Sequence, residues 1–195
     1  MTAKAIFAAA FITVSAAGCR SVPVHYYSLA QPTQLATGLR AVPQVTVRVA
    51  KIPAAVDRLQ LVEHRGSEIA ILDDHQWIAP LSSEIETALS LELSKRLGEI
   101  SRDDSDRASS DLAIQVNVTQ FEAYPHDRVF IAASWQVASK ANSARKSLCA
   151  SELSESIHPG VAAVIDGFRT VVSRLADQIA DSIVSEAGCQ ELGLR

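Results

Sequence analysis

The sequence predicts an α/β fold, a single layered domain in which a mixed, largely antiparallel sheet is covered by two main helices. Two segments repeat apolar residues at three- and four-residue steps, the spacing of one helix face. These are Leu81, Ile85, Leu89, Leu93 and Leu97, and later Val161 through Ile183. Elsewhere valines and isoleucines alternate with polar residues, the period of a half-buried strand. No internal repeat marks a second domain, and Val, Ile, Leu and Ala are plentiful enough to bury one core.

Residues 1–18 read as an export signal that precedes the domain. Lys4 gives a positive start, and Ala5 to Val14 form an apolar run shorter than the about 20 residues of a spanning helix. Ala16-Ala17-Gly18 then supplies small residues before Cys19. This ending resembles a bacterial lipobox, with Ala16 where leucine is usual. The resemblance implies that Cys19 takes a diacylglycerol thioether and becomes an acylated N-terminus. That covalent lipid is the one attached group expected, with no other cofactor. One chain binds a membrane only marginally, at about 0.8 kcal/mol per methylene, whereas several make the attachment effectively permanent. Arg20, standing where Asp would retain a lipoprotein, resembles the pattern sorted to the outer membrane.

Residues 19–44 comprise the lipidated N-terminus, a first strand at Tyr26-Tyr27-Ser28-Leu29 and a linker rich in Gln, Thr, Ala and Pro, and residues 45–195 hold the remainder of the domain. Val45, Val47 and Val49 alternate with polar neighbours in a strand that Pro53 ends. Leu59–Glu63 and Glu68–Leu72 flank His64-Arg65-Gly66-Ser67 as a hairpin. The first helix comes next, with Ser82 or Ser83 as its cap. Ser101–Ser110 is a solvated loop. Leu112, Ile114, Val116 and Val118, then Val129 through Val137, then Lys146 through Ile157, form an antiparallel meander with turns at Tyr124–Asp127 and Asn142-Ser143. The last helix carries Asp166, Arg169 and Arg174 on its polar face.

Chemistry is sparse along this chain. The net charge of −4 and the lack of a basic stripe interleaved with aromatics argue against a nucleic-acid partner. Five histidines lie far apart, without metal-ligand spacing. Asp73-Asp74-His75 reads as a solvated turn at a strand end rather than a metal site. Glu84 and Glu86 point in different directions and read as surface charges. Serine-hydrolase elbows, phosphate loops and dinucleotide turns are missing, so the catalytic and metal-ligating sets are empty and no enzyme is expected. Cys149 and Cys189 remain in the mature chain. In an envelope compartment a bridge between them would contribute roughly 4 kcal/mol, and two buried thiols are the alternative.

Three motifs in order then carry a family resemblance. Tyr26-Tyr27-Ser28-Leu29 is followed by Ile52-Pro53-Ala54-Ala55-Val56-Asp57-Arg58-Leu59-Gln60-Leu61-Val62 and by His75-Gln76-Trp77-Ile78-Ala79-Pro80-Leu81. Together they resemble the PqiC/YmbA family of ABC-type transport auxiliary lipoproteins, with Leu59 where the pattern has a proline. The resemblance implies a non-catalytic lipoprotein on the periplasmic face of the outer membrane. It would work with an MCE-domain protein and its membrane permease in lipid transport, docking or tethering the periplasmic assembly. A homo-oligomeric ring would match a cylindrical partner by cyclic symmetry. Tyr26, Tyr27, Asp57, Arg58, Trp77 and Pro80 are the candidate motif or partner-binding residues. Each also has a local reading: Asp57 and Arg58 fix a turn, Trp77 packs over the first helix, and Tyr26 and Tyr27 split outward and inward. An envelope scaffold without a transport role, or a periplasmic hydrolase, are the other readings.

Overall fold

The computed structural model describes residues 22–31, 45–97, 100–101, 112–139 and 147–184. The signal peptide, Cys19, the linker, the Asn142-Ser143 turn, most of the solvated loop and Cys189 lie outside the described residues. The order of elements is β1 (His25–Tyr27), β2 (Val45–Lys51), β3 (Gln60–Arg65), β4 (Glu68–Trp77), α1 (Leu81–Leu97), β5 (Ile100–Ser101), β6 (Leu112–Tyr124), β7 (Arg128–Ser139), β8 (Ser147–Ser156) and α2 (Val161–Val184).

The α/β class and the meander are as expected, but the strands divide into two sheets rather than one. The larger has the order β5-β2-β6-β7-β8 and the smaller β1-β4-β3. Antiparallel pairing joins β6 to β7 and β7 to β8, whereas β2 runs parallel to β6. Ile114, Val116 and Val118 of β6 and Val129, Ile131, Ala133 and Trp135 of β7 point to one face, where α1 and α2 cover them. Gln115, Gln136 and Glu152 on the opposite face are exposed.

A register shift between Val118 and Gln120 inserts one residue into β6. Because side chains alternate, that insertion reverses the parity of the rest of the strand. Phe121 and Ala123 therefore point inward, with exposures of 4% and 1%. Phe121 stacks on Phe168 of α2 at 3.9 Å, and Trp77 meets Phe168 edge-on at 6.4 Å. One aromatic cluster thus joins both sheets and α2.

The helices lie side by side and run in the same direction. Glu92 accepts from the Ser173 hydroxyl at 3.2 Å, and Arg96 reaches Asp177 and Asp181, both at 3.0 Å. The exposed Arg96 ion pairs contribute at most about 1 kcal/mol each. The interlock lies below, in Leu81, Ile85, Leu89 and Leu93 against Val171, Leu175 and Ile179, all 1% exposed or less.

Neither Ser82 nor Ser83 caps α1, since both lie inside the helix. The Pro80 carbonyl accepts from Ser83 and Glu84 as the first helical acceptor, and proline has no side chain with which to cap. Asp57 supplies the cap from a distant turn, accepting from the Ser82 N–H at 3.1 Å. A carboxylate there also complements the helix dipole.

Gly167 sits in the middle of α2, where a Cβ would lie 2.6 Å from Ile157 Cγ2 and 3.0 Å from Val129 Cγ2. Helix propensity alone favours alanine there by about 1 kcal/mol. Ile157 and Val129 are β-branched and stiff, so overpacking of about 1–3 kcal/mol outweighs that gain. Gly167→Ala is expected to lower the thermal midpoint, and a raised midpoint in a calorimetric scan would contradict this packing.

Candidate docking surface

The N-terminal strand is short, yet its downstream end is fixed more firmly than its length suggests. Ser28 donates its hydroxyl to Glu84 Oε2 at 2.7 Å, and the Leu29 N–H donates to the same oxygen at 2.8 Å. From the other side, Arg169 Nε and Nη2 donate to the Ser28 carbonyl at 3.1 and 2.8 Å, while Nη1 holds Asp166 at 2.8 Å. Leu29 itself is 3% exposed in the core. Residues 28–29 are therefore held between α1 and α2.

Glu84 is not the surface charge its spacing suggests, because it is 4% exposed in the first turn of α1. Glu86 is also engaged, accepting from the Val49 N–H at 3.2 Å. Arg169 stays beside Asp166 of the polar face and also reaches the Ser28 carbonyl. A signal for Glu84 was present: it falls three residues after Leu81, on the apolar stripe, where a carboxylate must find donors. Nothing local in the sequence marks Arg169.

Upstream, β1 pairs in parallel with β4 through His25↔His75, Tyr26↔Gln76 and Tyr27↔Trp77. Tyr26 and Tyr27 divide as alternation requires, Tyr26 standing 63% exposed and Tyr27 packing on the core. The Tyr27 hydroxyl bonds His75 Nδ1 at 2.8 Å, and His25 stacks on His75 at 5.2 Å. Asp73-Asp74-His75 is not a turn. Leu61 pairs with Leu72 and Gln60 with Gln76, so these three residues form a bulge inside β4.

Of the remaining signature residues, Trp77 is 3% exposed and belongs to the aromatic cluster, not to the surface. Asp57 is exposed and caps α1, and Pro80 is exposed at the helix entrance. Arg58 comes directly after a turn in which Val56 and Asp57 donate to the Pro53 carbonyl at 3.0 and 3.1 Å. Cys149 is buried and disulfide-bonded, with its partner outside the described residues.

The exposed apolar surface is concentrated on one side. Eight large apolar side chains stand exposed among the described residues. Leu148 is on the large sheet. The other seven lie on the small sheet or the segments entering it and leaving it: Val22, Val24 and Tyr26 at the N-terminus, Leu59 before β3, Ile69 and Ile71 on β4, and Ile78 just after it. For Tyr26, Ile69, Ile71 and Ile78 a common face is set by the register. Tyr27 and Trp77 point inward as partners, which turns Tyr26, Gln76 and Ile78 outward; Leu61 and Leu72 point inward, which turns Val62 and Ile71 outward. Such a patch on a folded domain marks an interaction surface.

A separate cleft of about 480 Å³ opens between the β3–β4 hairpin, the β6–β7 turn and the start of α2. Its buried carboxylate, Glu63, is paired with Arg65 at 3.2 Å. Among the described residues no group of three or more His, Cys, Asp or Glu side chains is placed to hold a metal, and no helix is long and apolar enough to cross a membrane.

The profile of the family described as ABC-type transport auxiliary lipoprotein component matches residues 27–180. The fold resembles a crystal structure of an uncharacterized protein at 17% identity and a TM-score of 0.62, covering 83% of this chain and 99% of that one. A Xanthomonas campestris protein is similar at 12% identity and a TM-score of 0.62, over 85% of this chain and 100% of its own. No curated protein matches the sequence.

Two substitutions test the clamp. Glu84→Ala leaves the Leu29 N–H and Ser28 hydroxyl without their acceptor, at a cost of about 3–6 kcal/mol from two bonds to a charged group. It should open residues 22–31 to limited proteolysis, whereas Glu84→Gln, which keeps an acceptor, should show a smaller effect. Equal protection in all three proteins would contradict the clamp.

The tyrosines impose a pH dependence. Burial and then the Asp74 carboxylate raise the Tyr27 phenol above its usual 10. The hydrogen bond to Glu122 and then burial raise Tyr124. A raised folded-state pKa gives stability that is complete below pH 10 and lost as pH climbs through the folded value. Phenolate absorbance should therefore appear later in the folded than in the denatured protein, with stability falling on the alkaline side.

Proposed function

This chain belongs to the ABC-type transport auxiliary lipoproteins, and from that premise we propose that it is a non-catalytic subunit of an MCE-type, ABC-associated lipid-transport system. It is anchored to the outer membrane through acylated Cys19 and docks the periplasmic assembly to that membrane. The observation that supports this reading best is the clamp on Ser28 and Leu29. A tether that entered a loose segment would transmit position poorly. Here the chain enters the core within ten residues of Cys19, so an acyl anchor would hold the folded domain at the bilayer.

Surface attachment raises the effective concentration of a partner site, so a modest docking contact suffices. The partners are an MCE-domain protein and its permease, and a homo-oligomeric ring of this chain would match their cylindrical symmetry. The chain has three cysteines, so acylation of Cys19 leaves Cys189 to pair with Cys149. Trp135 lies opposite Cys149 in the sheet and donates to Ser182 near the end of α2, at 3.4 Å. The last described turn of α2 thus lies close to the strand position that bears Cys149.

Cys19→Ala is expected to leave the domain folded but move it from the membrane to the soluble fraction; retention on membranes would contradict the anchor. Gentle detergent extraction of the tagged, lipidated protein from native membranes should co-purify an MCE-domain protein. Recovery of unrelated envelope proteins alone would favour a scaffold role instead.

A further inference from the structure

We propose that the outer face of the small sheet is a membrane-seating surface: Tyr26 and Ile78, with Val22 and Val24 beside them, rest in the interface of the bilayer to which the chain is anchored. This rests on the reading that Cys19 is acylated. Val22 then lies three positions beyond the anchored residue, a span of at most about 11 Å even when fully extended. Six positions further on, the chain is locked to α1 and α2 through Ser28. The domain therefore has little freedom to turn this corner away from the lipid.

The chemistry of the face fits that occupant. Tyr26 has an apolar ring with a polar tip, suited to the headgroup level, and Ile78 extends the contact on the same side of the sheet. Ile69 and Ile71 continue the apolar strip along β4. The charged side chains on this strand are Glu68, Asp73 and Asp74, all acidic, with Glu68 and Asp73 exposed and Asp74 partly so. Seating is therefore apolar and indifferent to anionic lipid, unlike attraction through a basic patch. The remaining exposed apolar side chain, Leu148, lies on the large sheet and is the natural reference.

The test uses the full lipidated chain reconstituted into zwitterionic vesicles containing brominated phospholipid. Tyr26→Trp and Ile78→Trp are compared with Leu148→Trp, each read as added fluorescence over the wild type. At least twofold greater bromine quenching at positions 26 and 78 than at 148, unchanged by salt, is the expected result. Equal, weak quenching at all three would overturn the proposal, because the domain would then hang free of the bilayer. Blue-shifted emission at 26 and 78 without quenching would also overturn it, since those side chains would be covered by protein. Intact mass separates the two levels of the argument: a Cys19 without acyl chains removes the anchor and the seating together, whereas an acylated protein without selective quenching removes the seating alone.

Discussion

The buried carboxylate of Glu84 is the interaction on which the arrangement of this domain depends. A carboxylate taken out of water without partners costs several kcal/mol. This one receives the Ser28 hydroxyl and the Leu29 amide and sits at the positive end of α1. Its donors come from a segment remote in sequence, so the requirement for hydrogen bonds becomes a requirement for tertiary structure. Arg169 completes the arrangement by taking the Ser28 carbonyl, an acceptor that β1 leaves beyond its last strand residue.

A three-stranded sheet with a three-residue strand at one edge would be marginal alone. It persists because Trp77, Phe121 and Phe168 bring β4, β6 and α2 into one cluster. Such aromatic contacts add about 0.5–1.5 kcal/mol each beyond area burial. The extra residue in β6 is what turns Phe121 toward that cluster. The polar clamp and the aromatic junction thus hold the same end of that sheet, where Tyr27 pairs with Trp77, leaving its outer face apolar and open.

Much of this architecture was legible in local periodicity. The alternation of β7 and β8 and the stripes of α1 and α2 placed those elements within a residue or two, because their inward faces are covered by one continuous layer. The alternation of β6 stopped at Val118, where the extra residue interrupts it before the strand ends at Tyr124. The division into two sheets was not legible. It depends on the parallel pairing of β1 with β4 and on the Asp73–His75 bulge, and a bulge interrupts the very period by which strands are recognised. Asp57 was visible as a motif residue, but its role was hidden because the helix it caps begins 24 residues later. Trp77 shows the opposite difficulty: a residue type common at interfaces is here consumed by the core. The exposed apolar face is a property of register, and no single segment announces it.

Family membership explains why a domain of this kind would be tied to a membrane, and the clamp explains how the tie would position it. Rigid entry of the N-terminal segment into the core is the central claim. Amide hydrogen exchange on the full-length native protein tests it most directly, read at Leu29. The clamp predicts protection there comparable to that of buried amides in β6 and β7, since exposing the amide requires breaking the Glu84 contact. Exchange at the rate of an unstructured peptide, with β6 and β7 still protected, would contradict it and reduce the N-terminal strand to a loosely attached tether.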